Sequence, residues 1–304
     1  MMLAMSSMTD VRAAIRGARE IDVLAYTLRP GPMIGALEAA ATGGARVNVR
    51  LEGAPFDDGG GALTKYNGQV VKELCRFGID ARLAHTDRSQ APVHAKAIVV
   101  DRRLFLDDRN WNSNDFIVSE NDPQAVAAVT GAVDGRTGDD PVTRAFAIHK
   151  RDALVREAAL LRAAQIGESP IVETESFGLG NAVYGALDEL GKRGLAPRLL
   201  VCATELKDNK REKTALARLV NDGVTVRVTR GTEKFAVVGK RAWIGSANAS
   251  LAFGKPDTID WGECTGDAAT VAAARSRVEA LWSAAVDLPS TSKKRAGVAV
   301  GRRR

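Results

Sequence analysis

Cysteine is scarce in this chain of 304 residues: Cys75, Cys202 and Cys264 stand far apart, with no Cys-x-x-Cys pair. That spacing excludes a disulfide framework and a cysteine-built zinc cluster, and it fits a reducing compartment. Long apolar runs are missing as well. No stretch of 18 apolar residues occurs, so no transmembrane helix is expected. The opening Met1-Met-Leu-Ala-Met-Ser-Ser-Met lacks the basic region and apolar stretch of a secretory signal, so a cytoplasmic location is the expectation. Aromatic residues are few (5%), and no apolar lid or amphipathic insertion suited to a lipid surface is visible. Histidine occurs three times, at His85, His94 and His149, and no cluster of His, Asp and Cys has metal-ligand spacing. Neither a metal nor a cofactor is expected.

What the chain does have is enough apolar residue, 45%, to bury one large core or two fused ones. Its net charge of +6 is concentrated at the end. Residues 290–304 hold Lys293, Lys294, Arg295, Arg302, Arg303 and Arg304 and no acid, while the rest balances 37 basic against 37 acidic residues. The tail is a candidate contact for a phosphate backbone or an anionic membrane surface, or a solvated disordered end.

The most informative stretch is His94-Ala-Lys96-Ala-Ile-Val-Val-Asp101, because its frame recurs as Thr232-Glu-Lys234-Phe-Ala-Val-Val-Gly239. Asn110 follows Lys96 by 14 residues, and Asn248, within Gly245-Ser246-Ala247-Asn248, follows Lys234 by 14. Two residues apart on a strand, His94 and Lys96 point to one face. An imidazole there can attack phosphorus, while the ammonium offsets the charge that develops on phosphoryl oxygens.

At these residues the chain resembles the phospholipase D superfamily, whose signature is His-x-Lys-x4-Asp followed by Gly-Ser-x-Asn. The resemblance implies metal-free chemistry through a covalent phosphohistidine in a site shared by two halves or two subunits. It implies His94 as nucleophile, Lys96 and Asn110 as phosphate contacts, and Asp101 in a supporting catalytic role. Lys234, Ser246 and Asn248 would be the phosphate contacts from the second half. Ser119-Glu120-Asn121 is similar to a segment of the bacterial endonuclease members, which implies that Glu120 hydrogen-bonds the histidine; Glu263 would be its counterpart in the second half.

The departures are specific. Thr232 stands where the second half should carry the histidine that acts as general acid, and Gly239 replaces the second aspartate. Asp107-Asp108 replaces the first Gly-Ser, and two carboxylates beside a phosphate pocket repel the substrate unless they point away. Candidates for the missing acid are Glu263, His85 reaching in from its loop, or the His94 of a dimer partner; the chain is expected as a monomer or a homodimer. The remaining features read as structural: His149 in a helix, and Glu173-x-Glu175 as carboxylates on one face of a half-exposed strand.

Strands alternating with helices predict an α/β fold of two pseudo-repeated halves, each with a mixed or parallel sheet flanked by helices. Residues 1–166 would form the first half, closed by a helix over roughly 145–165 after a strand-like run at 125–129. Residues 167–289 would form the second half, and 290–304 the tail. Three functions fit: a phosphodiesterase acting on nucleic acid, which the basic tail favours; hydrolysis or transfer of a phospholipid headgroup; or a noncatalytic phosphate-binding relative.

Overall fold

The computed structural model describes residues 3–56, 61–87, 89–112, 114–136, 145–207, 209–250 and 257–288. The basic tail lies outside them, as does all but Gly61 of the glycine-rich run 57–61, which the sequence predicts to be a flexible loop. In chain order the first repeat is β1 (Ala4–Ser6), α1 (Met8–Ile15), β2 (Glu20–Ala25), α2 (Pro32–Thr42), β3 (Arg46–Glu52), α3 (Ala62–Arg76), β4 (Asp80–Ala84), β5 (Lys96–Val100), β6 (Arg103–Asp107), β7 (Ile117–Glu120) and α4 (Pro123–Val133). The second is β8 (Phe146–His149), α5 (Lys150–Arg162), β9 (Ile171–Thr174), α6 (Ala182–Lys192), β10 (Arg198–Cys202), α7 (Ala203–Leu206), α8 (Lys210–Asn221), β11 (Thr225–Thr229), β12 (Phe235–Val238), β13 (Arg241–Gly245), β14 (Ile259–Thr265), α9 (Ala268–Ala284) and β15 (Val286–Asp287).

Two mixed sheets result, and their strand orders match: β1-β7-β6-β5-β2-β3-β4 and β8-β14-β13-β12-β9-β10-β11-β15. In each, three strands run parallel (β2–β4, β9–β11) and the motif strand and its hairpin partners run antiparallel. The motif strands β5 and β12 are buried at every position, which is why they are continuous apolar runs rather than alternating ones.

Two segments differ from expectation. Residues 125–129 are not a strand but part of α4, which Asp122 caps by accepting from the Gln124 amide, with Pro123 at the first helical position. Nor is the stretch from 145 a single helix closing the first half. Its first residues form β8, which pairs with β14 in the second sheet, and α5 packs on α6 and β14. The strand–helix pair therefore opens the second half, as β1–α1 opens the first, and the second repeat starts upstream of the expected boundary at 166/167.

The halves share one core. Val118 and Phe116 from the first pack with Phe235, Ile244 and Trp261 from the second, and the Phe116 and Phe235 rings meet edge to face at 4.8 Å. Backbone bonds stitch them too: His94 N and Ala95 N donate to Ile259 O at 2.8 and 2.9 Å, and Ile259 N donates to Pro92 O at 2.8 Å.

Within this shared core the buried Glu120 and Glu263 carboxyls adjoin each other. Burial and Asp122 push Glu120 up to about 7, and burial and Glu120 raise Glu263 well above the usual carboxylate range. A carboxyl whose pKa is raised on folding contributes stability that is fully present below its unfolded value, about 4.3, and lost as pH rises through the folded value. Buried Asp108 and Glu212, each also raised to about 7 chiefly by burial, act in the same direction. The thermal midpoint is therefore expected to fall between pH 5 and pH 8, and Glu120→Gln to flatten that fall; identical slopes for the two proteins would refute the assignment.

Candidate active site

β5 delivers its motif where the halves meet. The His94 Nδ1 lies 2.9 Å from Asp260 Oδ1 on β14, and the same oxygen accepts from Ser246 Oγ at 2.7 Å. Ser246 is itself fixed, because its hydroxyl accepts from the Trp261 amide at 3.0 Å. With Nδ1–H donating to the carboxylate, the lone pair of His94 is on Nε2. Burial and Lys96 lower the His94 pKa, and Asp260 offsets only part of that effect. Asp260, although burial alone would raise it, is held below the usual range by His94, Lys150 and Lys96. The imidazole is thus neutral and oriented at neutral pH.

Lys96 and Lys234 are nearly inaccessible and approach from opposite halves. Lys96 Nζ donates to His94 O and sits over the Tyr26 ring at 5.5 Å. Lys234 Nζ donates to Thr232 O at 2.7 Å and to Glu175 Oε2 at 3.1 Å. Burial and the nearby Lys234 lower Lys96 to about 7. Two ammonium groups this close form a site that an anion relieves.

His94 and Asp260 open onto a cavity of about 760 Å³. Tyr26, Lys150, Glu175, Asn248 and Ser250 line the near part, and Phe56, Phe177, Leu179, Glu205, Arg211 and Glu212 the rest. Asn248 is fixed through its Oδ1, which accepts from the Ser176 amide at 3.4 Å.

Of the residues expected from sequence, His94, Lys96, Lys234, Ser246 and Asn248 come together. Ser246 is fully buried and holds Asp260 rather than facing the cavity. The others lie apart. Asp101 sits in the β5–β6 turn, at the end of β5 remote from His94, a strand length of roughly 16 Å; its carboxylate accepts from the Arg19 and Glu20 amides, both at 3.1 Å. Its φ of 53° and that of Gly239, 51°, show a left-handed turn in both repeats, so aspartate-to-glycine exchange there preserves the hairpin. Glu120 does not bond His94 and Glu263 does not face the cavity, because the two are paired with each other. His85 is held at 2.8 Å by buried Glu52, which also accepts from the Val93 amide; the pair braces the loop before His94 and does not reach in. Asn110 does not line the cavity, and its backbone donates to Asp115 at 3.2 Å.

The equivalent position in the other repeat explains Asp107-Asp108. Asp108 accepts from the Phe116 amide as Ser246 does from Trp261, which makes Asp115 the counterpart of Asp260. No histidine meets Asp115. Arg109 does, at 2.9 Å, and it also approaches Asp108 and Glu233, while Arg277 holds Glu233 at 2.6 Å. Asp108 therefore points into an internal ion-pair network, and Asp107 accepts from the Arg109 and Trp111 amides. Gly245 keeps its place because a Cβ there would come within 2.6 Å of the Trp243 ring and Trp261 O.

The sequence reading missed Asp260, Lys150, Tyr26 and Glu175. Lys150 begins α5 and is half-buried against the cavity, with Nζ 3.0 Å from Ser250 Oγ. Glu173-x-Glu175 is not a solvated pair: Glu173 is buried beside Glu233, and only Glu175 reaches the cavity.

No protein-family model matches the chain, and no curated protein sequence does. Solved structures match it in fold. The phosphatidylserine synthase of Haemophilus influenzae Rd KW20 superposes with a TM-score of 0.62 over 92% of this chain and 86% of its own, at 10% identity. The polyphosphate kinase of Porphyromonas gingivalis superposes with a TM-score of 0.62 over 90% of this chain, at 16% identity; this chain spans about half of the kinase, 48%. Both likenesses are of fold: the matching sheets, the repeated motif strands and these superpositions give this chain a two-half α/β fold like theirs, with a histidine in one motif and a threonine in its place in the other.

Proposed function

We propose that the protein cleaves phosphodiester bonds through a covalent phosphohistidine at His94. The observation that carries this reading is the buried Asp260–His94 contact, which leaves a neutral imidazole with its Nε2 lone pair free for attack. Lys96 and Lys234 would hold the two nonbridging oxygens, and Lys96 would regain full charge as the anion binds. Asn248 and Lys150 would complete the cradle from the second half. An intact, oriented nucleophile of this kind argues for chemistry over passive phosphate binding.

Nucleic acid is the substrate favoured here, entering as a single strand. Phe56, 60% exposed at the cavity, offers a face on which a base can stack, and the basic tail would add backbone contacts. Phospholipid headgroup hydrolysis or transfer is the second reading, favoured by the apolar wall of Phe177 and Leu179. Turnover of single- and double-stranded DNA, RNA and headgroup-labelled phospholipid vesicles separates the two.

On the substrate that is turned over, His94→Ala is expected to lower kcat by about 10⁴-fold or more, and loss of either Lys96 or Lys234 by about 10²- to 10³-fold. Activity should persist in chelator. Full activity in His94→Ala, or loss in chelator with recovery on adding magnesium, would end the phosphohistidine reading.

Asp260→Asn tests the orienting carboxylate. It should cut the plateau of kcat by about 10²-fold or more. Because Asp260 supports the charged imidazolium, its removal should also move the acidic limb of kcat/KM to lower pH. An unchanged plateau with an unchanged limb would remove Asp260 from the mechanism.

A further inference from the structure

The loss of the second histidine leaves two proton transfers without an evident agent. We propose that Glu175 is the proton-transfer group of this site, doing the work of the histidine that Thr232 replaces; this rests on the phosphohistidine reading above. The repeat supplies the first argument. Ala25 pairs with Lys96 in the first sheet, and the register Glu173↔Phe235 places Thr174 beside Lys234 in the second. Tyr26 and Glu175 are therefore equivalent residues. Tyr26 packs its ring edge to face on His94, with centroids 5.1 Å apart. Glu175 correspondingly stands beside Lys234, at 3.1 Å, and the same ammonium holds the carbonyl of Thr232. The carboxylate therefore lies beside the place where the second repeat would have presented its imidazole, as Tyr26 lies beside His94.

Accessibility supplies the second argument. Glu175 lines the cavity together with His94, Asp260 and Asn248, and its side chain is a third exposed. The sequence-derived candidates Glu263 and His85 are committed to Glu120 and Glu52.

The charges facing Glu175 are Lys234 from the second motif and His94 and Lys96 from the first. Lys150, Asp260, Glu205, Arg211 and Glu212 line the same cavity. Burial would raise Glu175, but Lys234, then His94 and Lys96, hold it below the usual range, so it is a carboxylate in the unliganded site. A bound phosphodiester adds negative charge and competes for Lys234, and both effects raise its proton affinity. In the first step His94 Nε2 bonds to phosphorus, the bond from phosphorus to the leaving oxygen breaks, and that oxygen takes the proton of Glu175. In the second step water bonds to phosphorus, Glu175 takes the water's proton, and the P–N electron pair returns to Nε2.

The test compares the full-length protein with its Glu175→Gln variant on two probes. Bis(para-nitrophenyl) phosphate has a leaving group that needs no acid; a dinucleotide leaves as an alkoxide that does. With the aryl probe, Glu175→Gln should keep the burst of nitrophenolate within about threefold, slow steady turnover by about 10²-fold, and accumulate a phosphoramidate adduct on His94 visible by mass. With the dinucleotide the first step should also slow by about 10²-fold. In Glu175→Ala, added formate should restore turnover, which provides a reading independent of the glutamine variant. A wild-type protein with no burst and no His94 adduct would overturn the phosphohistidine reading and this inference together. A wild-type burst with unchanged turnover in Glu175→Gln would overturn Glu175 alone. Equal slowing of both steps on both probes, without formate rescue, would make Glu175 a holder of Lys234 and overturn its role in proton transfer.

Discussion

Everything at this site depends on one seam. The segment Pro92–Ala95 docks on Ile259 through three backbone hydrogen bonds, and the next residue along β14 is the carboxylate that holds the nucleophile. His94 belongs to one half and the carboxylate that orients it to the other. Neither half alone would hold the imidazole in this way, so the shared core of Phe116, Phe235 and Trp261 sets the site as well as the fold. A shift of this seam by even 1 Å would break the His94–Asp260 bond, because such bonds weaken steeply outside their narrow distance range.

The two half-sites have the same scaffold and opposite electrostatics. On one side Ser246 and Asp260 receive His94; on the other Asp108 and Asp115 receive Arg109. Replacing serine by aspartate at a buried position is costly unless a cation accompanies it. Arg109, one residue on, is that cation, and Arg277 neutralises the adjoining Glu233. The carboxylates of this half-site are thus matched by cations. The second repeat contributes Asn248 and Glu175 to the cavity, while Arg109 meets the carboxylate that its histidine would have faced.

The meeting of His94, both lysines and Asn248 and the two-half α/β architecture were legible in the chain because they lie in a short, repeated frame whose strand period is fixed. Asp260 was not legible, since it meets His94 across 166 residues of sequence and sits in no motif. Glu120 and Glu263 drew attention through local resemblance, yet the fold buries them beside each other on β7 and β14. Residues 125–129 and 145–149 were misread for local reasons. An alanine–valine run fits either period, and the Asp122-Pro123 start signal decides for the helix. Phe146–His149 is too short and too close to α5 to announce itself as a separate strand. Glu175 was set aside because a carboxylate near a strand end is ordinary until its neighbour proves to be a buried lysine.

A cavity with one imidazole has a handedness that a cavity with two does not. Where both repeats carry a histidine, a phosphodiester can bind in two orientations related by the repeat, and either places a nucleophile in line with phosphorus. Here Arg109 and Thr232 occupy the second position, so only one orientation is productive. Under the proposed reaction, whichever ester oxygen leaves must face away from His94, so the walls of the cavity on that one side decide which end of a directional polymer would keep the phosphoryl group.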